Sequence, residues 1–205
     1  PQTFSDLVRI SGFSHGTNVW LDNSQDLIKN GTCKLNEAIS TRDDVMNFLI
    51  HRGMDRKHSF FVMENVRKGK GIEKRNKQGQ ATTEFEAEMR ENNIPEWFIE
   101  SCKKISYLFP RAHAVAYVMM AFRIAWFKVY HPLAFYAAYF SIRAKAFDLR
   151  IMTGDLKTQL TEFNRIKALD RAASPKDKDL MSALEVSMEM YQRGYRFINV
   201  DIQHS

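Results

Sequence analysis

The stretch PEWFIESCKKISYLFPRAHAVAYVMMAFRIAWFKVYHPLAFYAAYF, Pro95 to Phe140, decides how the chain reads. Pro95 opens a helix expected over Glu96–Tyr107, in which Trp97, Ile99, Cys102 and Ile105 are apolar. From Ala112 to Phe147 apolar residues dominate, broken by Arg123, Lys128 and Pro132. That pattern predicts two helices meeting at His131-Pro132 and buried on most sides. A bilayer span would want about 20 apolar residues free of such charges.

Working outward, Leu7, Val8 and Ile10 predict a short first helix running into a turn with exposed backbone donors at Ser11–Thr17. A helix with Leu27 and Ile28 stops at Gly31. Thr41 caps a helix bearing Val45, Phe48 and Leu49, and Gly53 ends it. The next helix carries Phe60, Phe61, Met63 and Val66. Arg67 to Lys77 holds six basic residues and one Glu, and reads as a mobile basic loop. Thr83 and Glu86 have capping-box spacing for a helix with Phe85 and Met89. Downstream, Leu156, Leu160, Phe163 and Ile166 form one stripe, and Ser174-Pro175 opens a helix through Met190 that Gly194 ends. Arg196–Ile202 alternates polar and apolar as a strand does. The class is mainly α, with a short strand at the C-terminal end.

With 44% hydrophobic and 26% charged residues over 205 positions, the chain has globular composition and enough length for a core. Only 9 Gly and 5 Pro argue against many short strands. The net charge of +6 favours a polyanion partner, although so modest an excess also occurs in proteins that never touch nucleic acid. Cys33 and Cys102 match no metal or redox spacing and read as reduced thiols. Pro1 to Asp6 lacks an initiator Met and any signal-peptide pattern, which suggests an internal piece of a longer protein.

Nucleotidyl transfer needs paired carboxylates holding two metal ions about 3.5–4 Å apart. Asp43-Asp44 is the only adjacent Asp pair. Helical neighbours diverge by roughly 100°, so the pair suits the charge of a helix N-terminus better than a metal site. No phosphate loop, nucleophile elbow or His/Cys cluster supports a hydrolase or metalloenzyme. What remains is basic and aromatic. Arg42 lies in a helix first turn, where a cation is disfavoured unless an anion meets it. The Arg67–Lys77 run is either a solvated face or a phosphate contact aided by glycines. Tyr107 and Phe109 flank a helix break beside Lys104, Arg111 and His113. They are either a stacking platform with charge beside it or plain core residues.

Together ISGFSHGTNVW (Ile10–Trp20), ISTRDDVMNFLI (Ile39–Ile50), MENVRKGKG (Met63–Gly71), the Pro95–Phe140 stretch and RAKAFDL (Arg143–Leu149) resemble the fingers region of PolC-type bacterial replicative DNA polymerases, the alpha subunits of DNA polymerase III. The similarity runs from Phe4 to about Leu149 and more weakly to Ile202. It implies a helical fingers domain over 1–154, including a basic loop over 67–82. Residues 155–205 would be its C-terminal part, leading toward a duplex-binding domain. It implies a DNA-directed DNA polymerase whose metal-binding palm aspartates lie outside this chain, so no catalytic residue is named and the piece alone is expected to be inactive. Arg42, Tyr107, His113, Ser11 and Phe109 match positions for the incoming dNTP. Arg67, Lys68, Lys70, Lys103 and Lys104 match basic candidates for DNA or phosphate. Mg2+ would serve the full-length enzyme. Its partners would be primer–template DNA, dNTP, and, through the parent protein, a sliding clamp and other replisome subunits, in the cytoplasm and with no membrane. One departure is IEKRNKQGQATTE (Ile72–Glu84), longer than the family pattern, which puts the aim of Lys70 in doubt. A non-catalytic helical nucleic-acid-binding module is the alternative, and a structural domain docking through its apolar hairpin a third.

Overall fold

The computed structural model describes residues 1–73 and 85–199. It is mainly α-helical and divides into two compact units, Pro1–Ala121 and Phe122–Ser205. The division read from the sequence, after residue 154, falls inside the second of these.

In the first unit α1 (Phe4–His15) begins at a capping box, with the Thr3 hydroxyl accepting the Asp6 amide and the Asp6 carboxylate accepting that of Thr3. After it come α2 (Gln25–Lys29), α3 (Arg42–His51), α4 (Arg56–Arg67), α5 (Phe85–Glu91) and α6 (Glu96–Lys104). Their apolar stripes meet in one core. Val45 and Leu49 of α3, Val62 and Val66 of α4, Phe85 and Met89 of α5, and Phe98, Ile99 and Cys102 of α6 are all buried in it. Phe48 stacks on Phe98 at 4.1 Å between ring centres.

Helix α7 (Arg111–Tyr130) passes from the first unit into the second. There α8 (Pro132–Ala138) follows at once, because Pro132 is suited to a first helical position and not to the interior of α7. Then come α9 (Leu149–Met152), α10 (Leu156–Ala168) and α11 (Pro175–Gln192). Met152, Ile166, Ala183 and Leu184 form a second core. A buried polar pair within this unit is satisfied internally. The Ser187 hydroxyl donates to Gln159 Oε1 at 2.7 Å, and Gln159 Nε2 donates to the Met152 carbonyl at 3.2 Å.

Several sequence expectations are corrected. The turn placed at Ser11–Thr17 is helix as far as His15, and α6 ends at Lys104 instead of Tyr107. Past Lys104 the chain leaves the helix, and the backbone of Ser106 to Phe109 pairs with other segments of the unit. The strand expected over Arg196–Ile202 is absent from Arg196–Asn199, and the rest of it lies outside the described residues. Thr83 also lies outside them; the Glu86 amide of α5 instead donates to the Glu73 carboxylate at 2.9 Å. Of the basic loop, residues 74–82 likewise lie outside.

The largest correction concerns Ala112–Phe147. The two helices do meet at His131, but they are not buried on most sides. In α7 only Ala114 and Val118 are buried, packed near Leu7 and Val8 of α1. Tyr117, Met120, Phe122, Ile124, Trp126 and Phe127 are exposed. By length and composition alone α7 could cross a membrane. All-round apolar composition signals how much cover a helix calls for, and does not supply the neighbour.

Gly12 lies where α1 crosses the chain at Ser40. A Cβ there would stand 2.5 Å from the Ser40 carbonyl oxygen. Alanine normally favours a helix interior by about 0.5–1 kcal/mol, but overpacking against backbone costs about 1–3 kcal/mol. Gly12→Ala is therefore expected to destabilise the chain, read as a lower urea midpoint at unchanged slope.

Candidate functional site

The segment between α6 and α7 is an extended thread through the first unit. Extended backbone cannot bond to itself, so each of its groups needs a partner from another element. Thr17 supplies one side: its amide donates to the Tyr107 carbonyl at 3.0 Å, and its carbonyl accepts the Ser106 amide at 3.1 Å. On another side the Arg42 amide donates to the Phe109 carbonyl at 3.2 Å. The Leu108 amide donates to the Arg67 carbonyl at 3.3 Å, at the end of α4. Gly69, with φ of +66°, brings that chain so close to Ser106 that a Cβ would sit 2.5 Å from its carbonyl oxygen.

Electrostatics anchor the same place. Asp44 forms a capping box with Thr41 at the start of α3. Its Oδ2 accepts the Ser40 and Thr41 amides at 3.0 and 2.8 Å, and both hydroxyls as well. Its Oδ1 faces Arg111 at 3.1 Å and Arg9 at 3.6 Å. Asp43 accepts the Arg111 amide at 2.8 Å, so it caps the start of α7. The sequence reading places both carboxylates at the one helix start after Thr41; Asp44 serves that start, and Asp43 instead accepts an amide at the start of α7.

Around this thread the candidate nucleotide residues gather. Phe109 is half-buried and stacks on His15 at 5.0 Å, with His113 at 5.9 Å and Tyr117 at 6.0 Å. His15 Nδ1 lies 2.8 Å from the Ser11 carbonyl oxygen, which ties Ser11 to the ring cluster. Tyr107 is exposed beside the end of α4. Arg42, Arg67 and Lys68 all turn to one carboxylate, Glu64, at 3.9, 2.8 and 3.0 Å. Arg67 grips it at two points, through Nε and Nη2.

The other basic candidates stand apart from this group. Lys103 lies between Glu86 and Glu100, 2.9 Å from each. Lys104 donates to the Asp22 carbonyl at 2.8 Å. Lys70 is exposed on the turn after α4. Sequence reading passed over Glu64, His15 and Tyr117. The signal for Glu64 was present, since it precedes Arg67 and Lys68 by three and four residues, the spacing of helical ion pairs.

The geometry is that of a helical module with cations and rings around one turn, and residues 1–93 match the family described as the bacterial DNA polymerase III alpha subunit finger domain. Over its full length the chain is 54% identical to the DNA polymerase III PolC-type of Caldanaerobacter subterraneus subsp. tengcongensis and 51% identical to that of Bacillus subtilis. To the Thermotoga maritima protein of the same name it is 54% identical over 98% of its length. The chain spans 14% of the length of each of these relatives. It belongs to the PolC-type DNA polymerase III family, as part of the finger domain.

Two outcomes follow from the charges. Asp44→Ala strips the α3 cap and leaves Arg9 without its carboxylate, so a loss of about 3–5 kcal/mol is expected by denaturant unfolding. Arg67, and after it Lys68, hold the Glu64 carboxyl down from 4.5 to about 2. Its folded value lies below its unfolded one. The stability it contributes is therefore complete above pH 4.5 and is lost as pH falls toward 2. Glu64→Gln should flatten that part of the acid-unfolding curve, followed by circular dichroism.

Proposed function

We propose that this chain is the part of a DNA-directed DNA polymerase that binds the incoming dNTP and the primer–template. The observation that carries the reading is the gathering of Arg42, Arg67 and Lys68 on one carboxylate, with Tyr107 and Phe109 on the thread tied to them and His113 of α7 beside Phe109. Cations held at one place align a triphosphate and offset the charge that builds on the leaving pyrophosphate. The exposed Tyr107 ring offers a face for the nascent base pair. Ser11 reaches the same cluster through His15. Lys70 remains a candidate for template phosphate, whereas Lys103 and Lys104 act first as structural ties.

The end of α4 and the thread are joined by the Leu108–Arg67 bond and the Gly69–Ser106 contact. They would therefore move together when a matched nucleotide draws the cations in, which couples pairing to closure. The Mg2+ ions of such an enzyme fit none of these residues. Asp43 and Asp44 are committed to helix starts, and among the described residues no group of three or more His, Cys, Asp or Glu could hold a metal. Catalytic carboxylates, clamp and replisome contacts are assigned to other parts of the parent polymerase, acting in the cytoplasm, and this chain alone is expected to be inactive.

The test is single-nucleotide incorporation by the parent polymerase bearing Arg42→Ala. A fall of about tenfold or more in kcat/KM at unchanged primer–template affinity is expected, equivalent to at least about 1.4 kcal/mol. Unchanged kinetics would remove Arg42 from the triphosphate and leave a module that only holds DNA.

A further inference from the structure

Glu64 is the carboxylate that Arg42, Arg67 and Lys68 share, and it does not hold them equally. Arg67 is fixed by two bonds of 2.8 Å from Nε and Nη2, and its side chain is 24% exposed. Lys68 makes a single contact at 3.0 Å and is 48% exposed. Arg42 is the most distant, at 3.9 Å and 37% exposed. A two-point guanidinium–carboxylate pair is stiff, whereas a single exposed contact exchanges readily with water or with another anion. Glu64 itself is 19% exposed and sits on α4, whose last carbonyl, that of Arg67, accepts the Leu108 amide of the thread. Its position is thus tied to the turn that carries Tyr107 and Phe109.

From this graded grip we infer that Glu64 is a positioning residue for nucleotide addition: it keeps Arg67 fixed as a strut and holds Arg42 and Lys68 as a loaded pair that a triphosphate takes over. The inference rests on the reading of the site above and adds a division of labour to it. A polyphosphate carries more charge than one carboxylate, so it outcompetes Glu64 for the two loosely held cations. It does not displace the two-point pair as readily, because that costs both hydrogen bonds at once. Arg67 therefore stays on Glu64 throughout, and the cations left to the phosphates start from one defined place. Without the carboxylate the local charge is more positive, so a nucleotide still binds, but with the cations unaligned.

The prediction is a split between rate and binding. In the full-length polymerase, Glu64→Gln should lower kcat for single-nucleotide incorporation by about tenfold, while KM for the dNTP stays level or falls. Primer–template affinity should not change. Glu64→Asp should recover most of the rate, and Glu64→Gln added to Arg42→Ala should cost less than it does alone, since the two act on one step. Unchanged kcat in Glu64→Gln would overturn the inference. So would a loss shared equally by kcat and stability that Glu64→Asp does not relieve, because that marks a merely structural role. If the Gln variant does not fold, Arg67→Lys keeps the charge and removes the two-point grip; the same kcat loss is expected, and its absence is equally fatal. Should Arg42→Ala be costly and Glu64→Gln silent, only the role of Glu64 falls. Should Arg42→Ala be silent, the reading of the whole site falls with it.

Discussion

The first unit depends on one constraint: five extended residues, Ser106 to Pro110, must find hydrogen bonds outside their own segment. Leu108 is fully buried in the thread, so its surroundings cannot leave the neighbouring amides and carbonyls to water without cost. The partners come from three elements far apart in sequence, at Thr17, at Arg42 and at Arg67. Each bond adds only about 0.5–1.5 kcal/mol net, but each also fixes a register. The end of α1, the start of α3 and the end of α4 are thereby held around one turn, and so are the side chains they carry. Gly12 and Gly69 permit the close approaches that this arrangement needs.

Charge is then distributed over that frame. Asp44 and Asp43 draw in Arg9 and Arg111 and tie the starts of α3 and α7 together. Glu64 collects Arg42, Arg67 and Lys68. Lys103 joins Glu86 and Glu100 on the outside of α5 and α6, where exposed pairs contribute about 0–1 kcal/mol each. A net charge of +6 counts all of these alike. Only their places separate cations spent on structure from cations gathered at a site.

The long helix α7 shows a different limit. Its composition predicts cover, yet most of its large apolar residues are exposed in the chain described. The helix itself is secure, since its backbone bonds are internal to it and Asp43 caps its start. Its terminus was equally legible, because His131-Pro132 cannot continue the α7 ladder.

Much of the fold was therefore written locally. Helical spacing, the Thr41 and Ser174 caps, and the stops at Gly53 and Gly194 all appear where residues i, i+3 and i+4 specify them. The family resemblance was legible from motif order alone. Among the described residues of the expected strand, Arg196–Asn199, no strand forms, because alternation specifies a surface for pairing and not the partner itself. The same distinction governs the site. By itself the sequence determined which residues could stack or carry charge. The Glu64 pairs with Arg67 and Lys68 are local to α4; the tertiary structure decided that Arg42 joins them there, while Lys103 reaches Glu86 and Lys104 reaches Asp22, because contacts between distant segments depend on how those segments are bound together.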